Sequence, residues 1–338
     1  MKLRTAIVCG ALLLAHADEC VAQLFPNLGG QRAGISVFQF LKIGVGARGS
    51  GMGESFVAVA NDVSALYWNP AGLVQGPTDE VMASHTEYVA DIRHDFFGVS
   101  YHLTGSDAIG VAFSSLHMKE MEITTETQPF GTGRYFSFGD VAFGLTYSRK
   151  MTEQFSFGAT VRYVEETLDV LKMRSVMVDL GTCYWTGLGS TRFAVVISNF
   201  GADVAPKGTV TEYSGQTTST FQSFSLPTVF RLGLAFEPIE GDEHRLTTSV
   251  QLNHPNDNSE HLRFGAEYAW RDLLFLRTGL KRTIGQKLIG EDATSEESFA
   301  AGAGIKVPVL STVVTADYAF VQFNRLGAVH RISVVFSY

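Results

Sequence analysis

The chain has 338 residues, 45% of them hydrophobic and 18% charged, with 34 glycines and 25 phenylalanines, a composition that excludes a disordered protein. Its formal charge of -8, with no basic cluster, excludes a nucleic-acid partner held through its phosphates. Beyond the first twenty-two positions there is no run of eighteen apolar residues, so no spanning helix is predicted; a membrane β-barrel would leave no such run either.

Residues 1–22 read as a secretory signal peptide. Lys2 and Arg4 precede an uncharged stretch from Ala6 to Ala15, and Cys20-Val21-Ala22 offers small side chains to a peptidase, predicting a mature chain that begins at Gln23. The apolar stretch is about half of the roughly 20 residues an anchor helix needs. Asp18 and Glu19 before Cys20 argue against lipidation. Processing removes Cys9 and Cys20, and the remaining Cys183 can form neither an internal disulfide nor a multi-cysteine zinc site.

Residues 23–77 form a second unit, and 38–73 within it lack any strand alternation. Gly44-Val45-Gly46-Ala47-Arg48-Gly49 matches the dinucleotide fingerprint GxGxxG, and Asp62 stands near the expected distance beyond it. That fingerprint requires a βαβ unit, and no helical segments recur downstream, so the glycines are read as sites of sharp turning and close packing. Asn69-Pro70-Ala71-Gly72 is a turn by its own chemistry.

Residues 78–338 repeat one pattern, segments of roughly ten residues alternating apolar with polar or small positions. Leu262, Phe264, Ala266, Tyr268 and Trp270 share one face; Arg263, Gly265 and Glu267 share the other. Fourteen strands are predicted, at 78–88, 92–103, 106–117, 135–148, 153–165, 172–185, 191–201, 224–237, 244–254, 260–269, 272–281, 297–306, 310–321 and 326–338. The three longest connections, near 118–134, 202–223 and 282–296, all follow odd-numbered strands, whereas those after even-numbered strands are short. This sorting predicts an all-β, up-and-down antiparallel barrel of the Gram-negative outer membrane, with both termini periplasmic and the long loops outside. A soluble sandwich would have no reason to sort its loops.

Tyr88, Tyr101, Tyr147, Tyr163, Tyr184, Trp270, Phe320 and Tyr338 lie near strand ends on the apolar face, as headgroup-level rings do. The opposite face carries Asp140, Arg162, Asp179, Arg231, Arg263, Glu267, Arg277, Lys281, Lys306, Asp317 and Arg331, which would line the lumen, mostly as structural ion pairs. Gly98, Gly110, Gly144, Gly158, Gly233, Gly265, Gly279, Gly302 and Gly304 share that face, leaving room for something packed inside. Residues 23–77 are the candidate for a lumen plug.

Catalysis has little support. No GxSxG elbow or HExxH occurs, and the histidines are scattered. Ser100 and His102 are two apart on one strand face with no evident third member, and nothing calls for a metal or a cofactor.

The run LKIGVGARGSGMGESFVAVANDVSALYWNPAGL resembles the N-terminal signature of the PorV/PorQ family of outer-membrane proteins, related to the FadL long-chain fatty-acid transporters. The matching positions are Gly44, Ala47, Arg48, Gly51, Met52, Gly53, Asp62, Trp68, Asn69, Pro70 and Ala71; Gly46 and Gly72 complete the two glycine-bearing motifs. Glu54 stands where many relatives have glycine, and Gly72-Leu73 follow where PorV itself is associated with lysine. The resemblance implies a fourteen-stranded barrel with its N-terminal segment in the lumen. It also implies a part in type IX secretion or surface attachment, with translocon or attachment-complex proteins and cargo C-terminal domains as partners. The alternative is a FadL-like channel for hydrophobic small molecules. Loop 202–223, rich in Ser, Thr and Gly with Tyr213, Phe221 and Phe224 in or beside it, favours a protein partner weakly.

Overall fold

The computed structural model describes residues 34–211, 216–284 and 297–338. The signal peptide, Gln23, Tyr213 and most of the connection at 282–296 lie outside these residues. Fourteen antiparallel strands close into one barrel, each paired with its neighbours in the chain and the last with the first. They are β1 Glu80–Glu87, β2 Arg93–Thr104, β3 Asp107–His117, β4 Phe138–Lys150, β5 Phe155–Leu168, β6 Leu171–Trp185 and β7 Arg192–Phe200. The second half comprises β8 Val229–Glu240, β9 His244–Pro255, β10 His261–Trp270, β11 Leu274–Thr283, β12 Glu297–Val309, β13 Thr312–Phe323 and β14 Gly327–Ser337. Closure runs from Glu80 opposite Ser337 to Glu87 opposite His330. A closed ring leaves no unpaired edge, the condition for a sheet in hydrocarbon.

Burial follows the period of two. In β10, Arg263, Gly265, Glu267 and Ala269 are buried while Phe264 and Trp270 are exposed. The outward face is apolar without interruption along many strands, as at Phe143, Leu145 and Tyr147 of β4. In water such a band would drive association; against lipid it costs nothing. Tyr101, Tyr147, Tyr163, Tyr184, Trp270 and Tyr338 all point outward near strand ends. Tyr88 does not: it turns into the mouth of the barrel and packs edge-on against Phe323, 5.6 Å between ring centres. It continues the inward set Met82, Ser84 and Thr86 of β1, just before the Val89–Asp91 turn, with Ala90 in the left-handed region, leads into β2.

Two short hairpins, Met121–Glu122 with Tyr135–Phe136 and Val210–Thr211 with Thr217–Thr218, decorate the β3–β4 and β7–β8 connections. These long connections share one end of the barrel. The tight turns share the other end with the chain terminus, where Tyr338 N–H donates to Asp79.

Residues 34–77 precede β1 and run through the interior as short helical turns: Gln39–Lys42, α1 Ala47–Gly51, α2 Ala65–Trp68 and Pro70–Gln75. Ser36 bridges Ser225 in the long β7–β8 connection, so the described chain begins at the long-loop end. Tyr338 lies at the tight-turn end, as expected for the C-terminus; the expectation for the N-terminus falls on residues before 34, outside the described residues. No described helix is long and apolar enough to cross a membrane.

Candidate functional site

The interior segment is built around Trp68, which is 1% exposed. Its indole donates to Val45 O at 3.1 Å, and its ring stands edge-on to Tyr67 and Phe56. A side chain at Gly49 would meet the indole at 2.8 Å, and one at Gly44 would strike both the indole and Glu54. These signature glycines are the space Trp68 occupies. Tyr67 donates to Leu41 O at 3.1 Å, and burial pushes its phenol up to about 12, so it remains a neutral donor.

Arg48, on α1, ties this unit to the wall. Its Nε and Nη2 donate bidentately to Glu267 of β10, both at 2.9 Å, and its Nη1 donates to Asp62 at 2.7 Å and Asn61 at 2.8 Å. Its guanidinium also lies 5.2 Å from the Phe56 ring centre. Burial opposes the charge on Arg48, but Glu267 and Asp62 outweigh it and hold the guanidinium above its ordinary range. Glu267 in turn accepts from Arg277, which donates onward to Asp317, each at 2.6 Å. Asp62 also accepts from the Ser64 N–H and hydroxyl, closing the turn before α2.

Close packing completes the attachment. Gly51 approaches Gly302 of β12, Met52 lies against Gly265 of β10, and Gly53 sits backbone to backbone against Gly279 of β11. Gly53 has φ +62, so both the approach and the dihedral demand glycine there. Glu54 follows at φ +60, in the left-handed region that favours glycine. Here its carboxylate accepts from Arg263 at 2.6 Å, an anchor that offsets the strained backbone.

Asn69, fully buried, caps the following turn by accepting from Ala71 N–H at 3.0 Å, while its amide donates to Val57 O at 2.8 Å and Thr182 O of β6 at 3.2 Å. Pro70 and Ala71 lie on Gly158 of β5, Asn69 on Gly181 of β6, and Gly72 against Ala60 O. Gly46, at φ +73, faces Met82 of β1, and Ala47 N–H donates to Ser333 of β14 at 3.0 Å. Gly98 and Gly110 face Leu66, and Gly233 faces Val57 and Ala58. The segment thus touches strands around most of the circumference.

The thirteen predicted residues gather in this one body. Sequence reasoning missed Glu54, Gln251, Arg192 and Gly181, although all but Glu54 sit at inward positions that the alternation marks. Gln251 Oε1 accepts from the Phe56 and Val57 N–H groups, and Arg192 donates to Ala58 O at 2.7 Å. Of the wall charges, Lys306 lies exposed near the end of β12 and not in the lumen. Gly144 meets nothing closer than Thr160 at 3.5 Å, and Gly304 faces Asp317 and Arg277, so neither touches the segment.

Above this body, at the long-loop end, is a cavity of about 700 Å³. Trp68, Glu54, Arg231, Arg263 and Arg331 form its floor, and Phe38, Tyr88, Phe138 and Phe323 stand in its walls. Lys42 pairs with Asp257 at its rim at 2.8 Å. Burial works against the Asp257 charge, but Lys42 and Gln39 hold the carboxyl below its usual range.

His102 Nδ1 lies 3.1 Å from Asp79, but its Nε2 has no hydrogen-bond partner, so Ser100 is not joined to it. Cys183 is buried and free. Among the described residues no group of three His, Cys, Asp or Glu side chains could hold a metal.

The family model described as "Type IX secretion system protein PorV" matches residues 29–255, more than half of the chain. The chain belongs to the PorV family. No curated protein matches it by sequence. Among solved structures, the CymD monoaromatic hydrocarbon channel is similar at TM-score 0.57 and 12% identity, over 87% of this chain and 97% of that one. The Pseudomonas putida toluene transporter TodX is similar at 0.55 and 15%, over 87% and 98%, and a Pseudomonas aeruginosa FadL homologue at 0.52 and 13%, over 87% and 97%. At such identities these likenesses show a common fold. This PorV-family chain is an outer-membrane β-barrel of the type IX secretion system.

Proposed function

We propose that this PorV-family barrel is a non-catalytic partner in type IX secretion or surface attachment, with residues 44–74 as a plug and the long-loop end as the face that meets cargo. The observation that carries this reading is the contact of the interior segment with so many strands, through glycines on one side and through Arg48 and Glu54 on the other. Passage along the axis would require the whole of this buried, hydrogen-bonded body to leave. The signal peptide at 1–22 would deliver the chain to the periplasm; translocon or attachment-complex proteins and cargo C-terminal domains are the expected partners.

A second reading, a channel for hydrophobic small molecules, is favoured by the cavity and by the fold shared with hydrocarbon channels. One strain decides between them. A deletion mutant is assayed for surface delivery of type IX cargo and for uptake of a labelled fatty acid or aromatic hydrocarbon. Lost delivery with normal uptake supports the secretion reading; normal delivery with lost uptake, once any paralogue has also been removed, replaces it with the channel.

A further inference from the structure

The cavity at the long-loop end contains charge that the interior packing leaves uncompensated. Arg231 and Arg331 are 4% and 3% exposed. Arg231 donates Nη1 to the Ser198 hydroxyl at 2.8 Å, and its Nε has no acceptor. Arg331 donates Nε to the Thr86 hydroxyl at 2.8 Å, and its Nη1 has no acceptor. Neither forms an ion pair among the described residues, whereas Arg263 beside them has Glu54 and Glu297. A guanidinium has five N–H donors in a planar fork, and a buried one without a carboxylate is poorly compensated. The missing complement is a planar anion able to accept two N–H groups at once, as a carboxylate does.

We propose that this cavity seats the free C-terminal carboxylate of an extended peptide among the guanidiniums that lack an ion pair, Arg231 and Arg331, which line it from different parts of the ring. The inference rests on the secretion reading and deepens it, giving the tail of a secreted protein a place on the barrel. The walls distinguish a peptide from a fatty acid. Gln39, Asn253, Asn258 and Thr283 line the cavity among the aromatic rings. Such groups pair with backbone amides, whereas a hydrocarbon tail would desolvate them without replacement. Asp140 lines the same cavity, and its buried Oδ1 has no partner, which suits a basic side chain close behind the terminus. The volume lies within the usual range of ligand pockets, and the cavity stands at the long-loop end, the side from which an external chain would enter.

The test uses the full-length barrel in detergent and a fluorescein-labelled hexapeptide of alternating Val and Ser ending in Lys-Val, as the free acid and as the C-terminal amide. Anisotropy should give at least about tenfold tighter binding of the acid. Arg231→Gln and Arg331→Gln should each weaken the acid by about that factor and leave the amide unchanged, Arg331→Lys should recover part of the loss, and palmitate should not compete. Each variant is first shown to be folded by its heat-dependent electrophoretic mobility. Equal affinity for acid and amide, no binding of the acid up to about 1 mM, or competitive displacement by palmitate overturns the proposal. In cells the two readings separate. Cargo delivery lost in the deletion strain but fully restored by the Arg231→Gln/Arg331→Gln double variant keeps the secretion role and removes the carboxylate seat. Normal delivery in the deletion strain with acid-selective binding intact removes the secretion role and keeps the seat.

Discussion

The two halves of the barrel interior are built from the same alternating strands and end up opposite in character. Toward the tight turns, the inward positions carry Gly158, Gly181, Gly233, Gly265 and Gly279, and the backbone of the interior segment lies directly on the wall. Toward the long loops, the inward positions carry Arg231, Asn253, Arg263, Lys281 and Arg331, and a cavity remains. Side-chain volume at equivalent strand faces therefore decides whether the lumen is filled by chain or left open to a ligand. Filling depends on shape and tolerates no added atoms; the open half depends on charge and responds to pH and salt.

The sharpest way to break this comparison is to add bulk to the filled half. Gly279→Val places a side chain against the Gly53 and Met52 backbone, which has nowhere to go. The cost should exceed the ~1–3 kcal/mol typical of overpacking, so the variant should yield little heat-modifiable barrel. Gly144→Ala, whose Cβ would meet nothing closer than Thr160 at 3.5 Å, should lie within about 0.5 kcal/mol of the parent. Equal behaviour of the two would end the idea of a glycine cradle.

Next in size is the turn cap. Asn69→Ala removes three hydrogen bonds and strands the buried Val57 carbonyl and Ala71 N–H, with an expected loss of about 3 kcal/mol in the stability read from urea unfolding of the micellar protein. Unchanged stability would mean the turn is held by Pro70 packing alone.

Arg48→Met should cost less, about 1–3 kcal/mol, because Glu267 keeps Arg277 as a partner. The loss should increase when Arg277 is also replaced, and additivity of the two changes would show that they do not share Glu267.

The smallest effect belongs to the open half. The folded-state pKa of Asp257 is depressed, so its pair with Lys42 contributes fully above the unfolded value of ~3.9 and is lost as pH falls through the folded value. Between neutral pH and about pH 3 this should account for about 1 kcal/mol of the fall in stability. Asp257→Asn should remove that share of the slope; an unchanged slope would assign the acid sensitivity to other carboxylates.

Much of the fold is legible along the chain. Alternation over segments such as 260–269 marks both the strand and its two faces, because a period of two is local and every strand meets lipid on one side. Loop lengths reveal the two ends for the same reason. Tyr88 follows that logic against its residue type: it continues the inward set Met82, Ser84 and Thr86 of β1, so the period of two, and not the aromatic ring, decides its face.

The interior segment is legible only as composition. Gly44, Gly53 and Asn69-Pro70 announce sharp turns and close approach, and Arg48 and Asp62 announce charge. Which wall each meets was decided by closure of the ring, which brings Glu267 of β10 to Arg48 from 219 residues away and Gln251 of β9 to Phe56 from 195. The same closure gave Arg263 two carboxylates and left Arg231 and Arg331, written with the same residue and the same alternation, without one. Sequence determined that these side chains face inward, because strand geometry is local. Only tertiary structure decided which of them are neutralised, because ion pairing depends on what lies across the lumen.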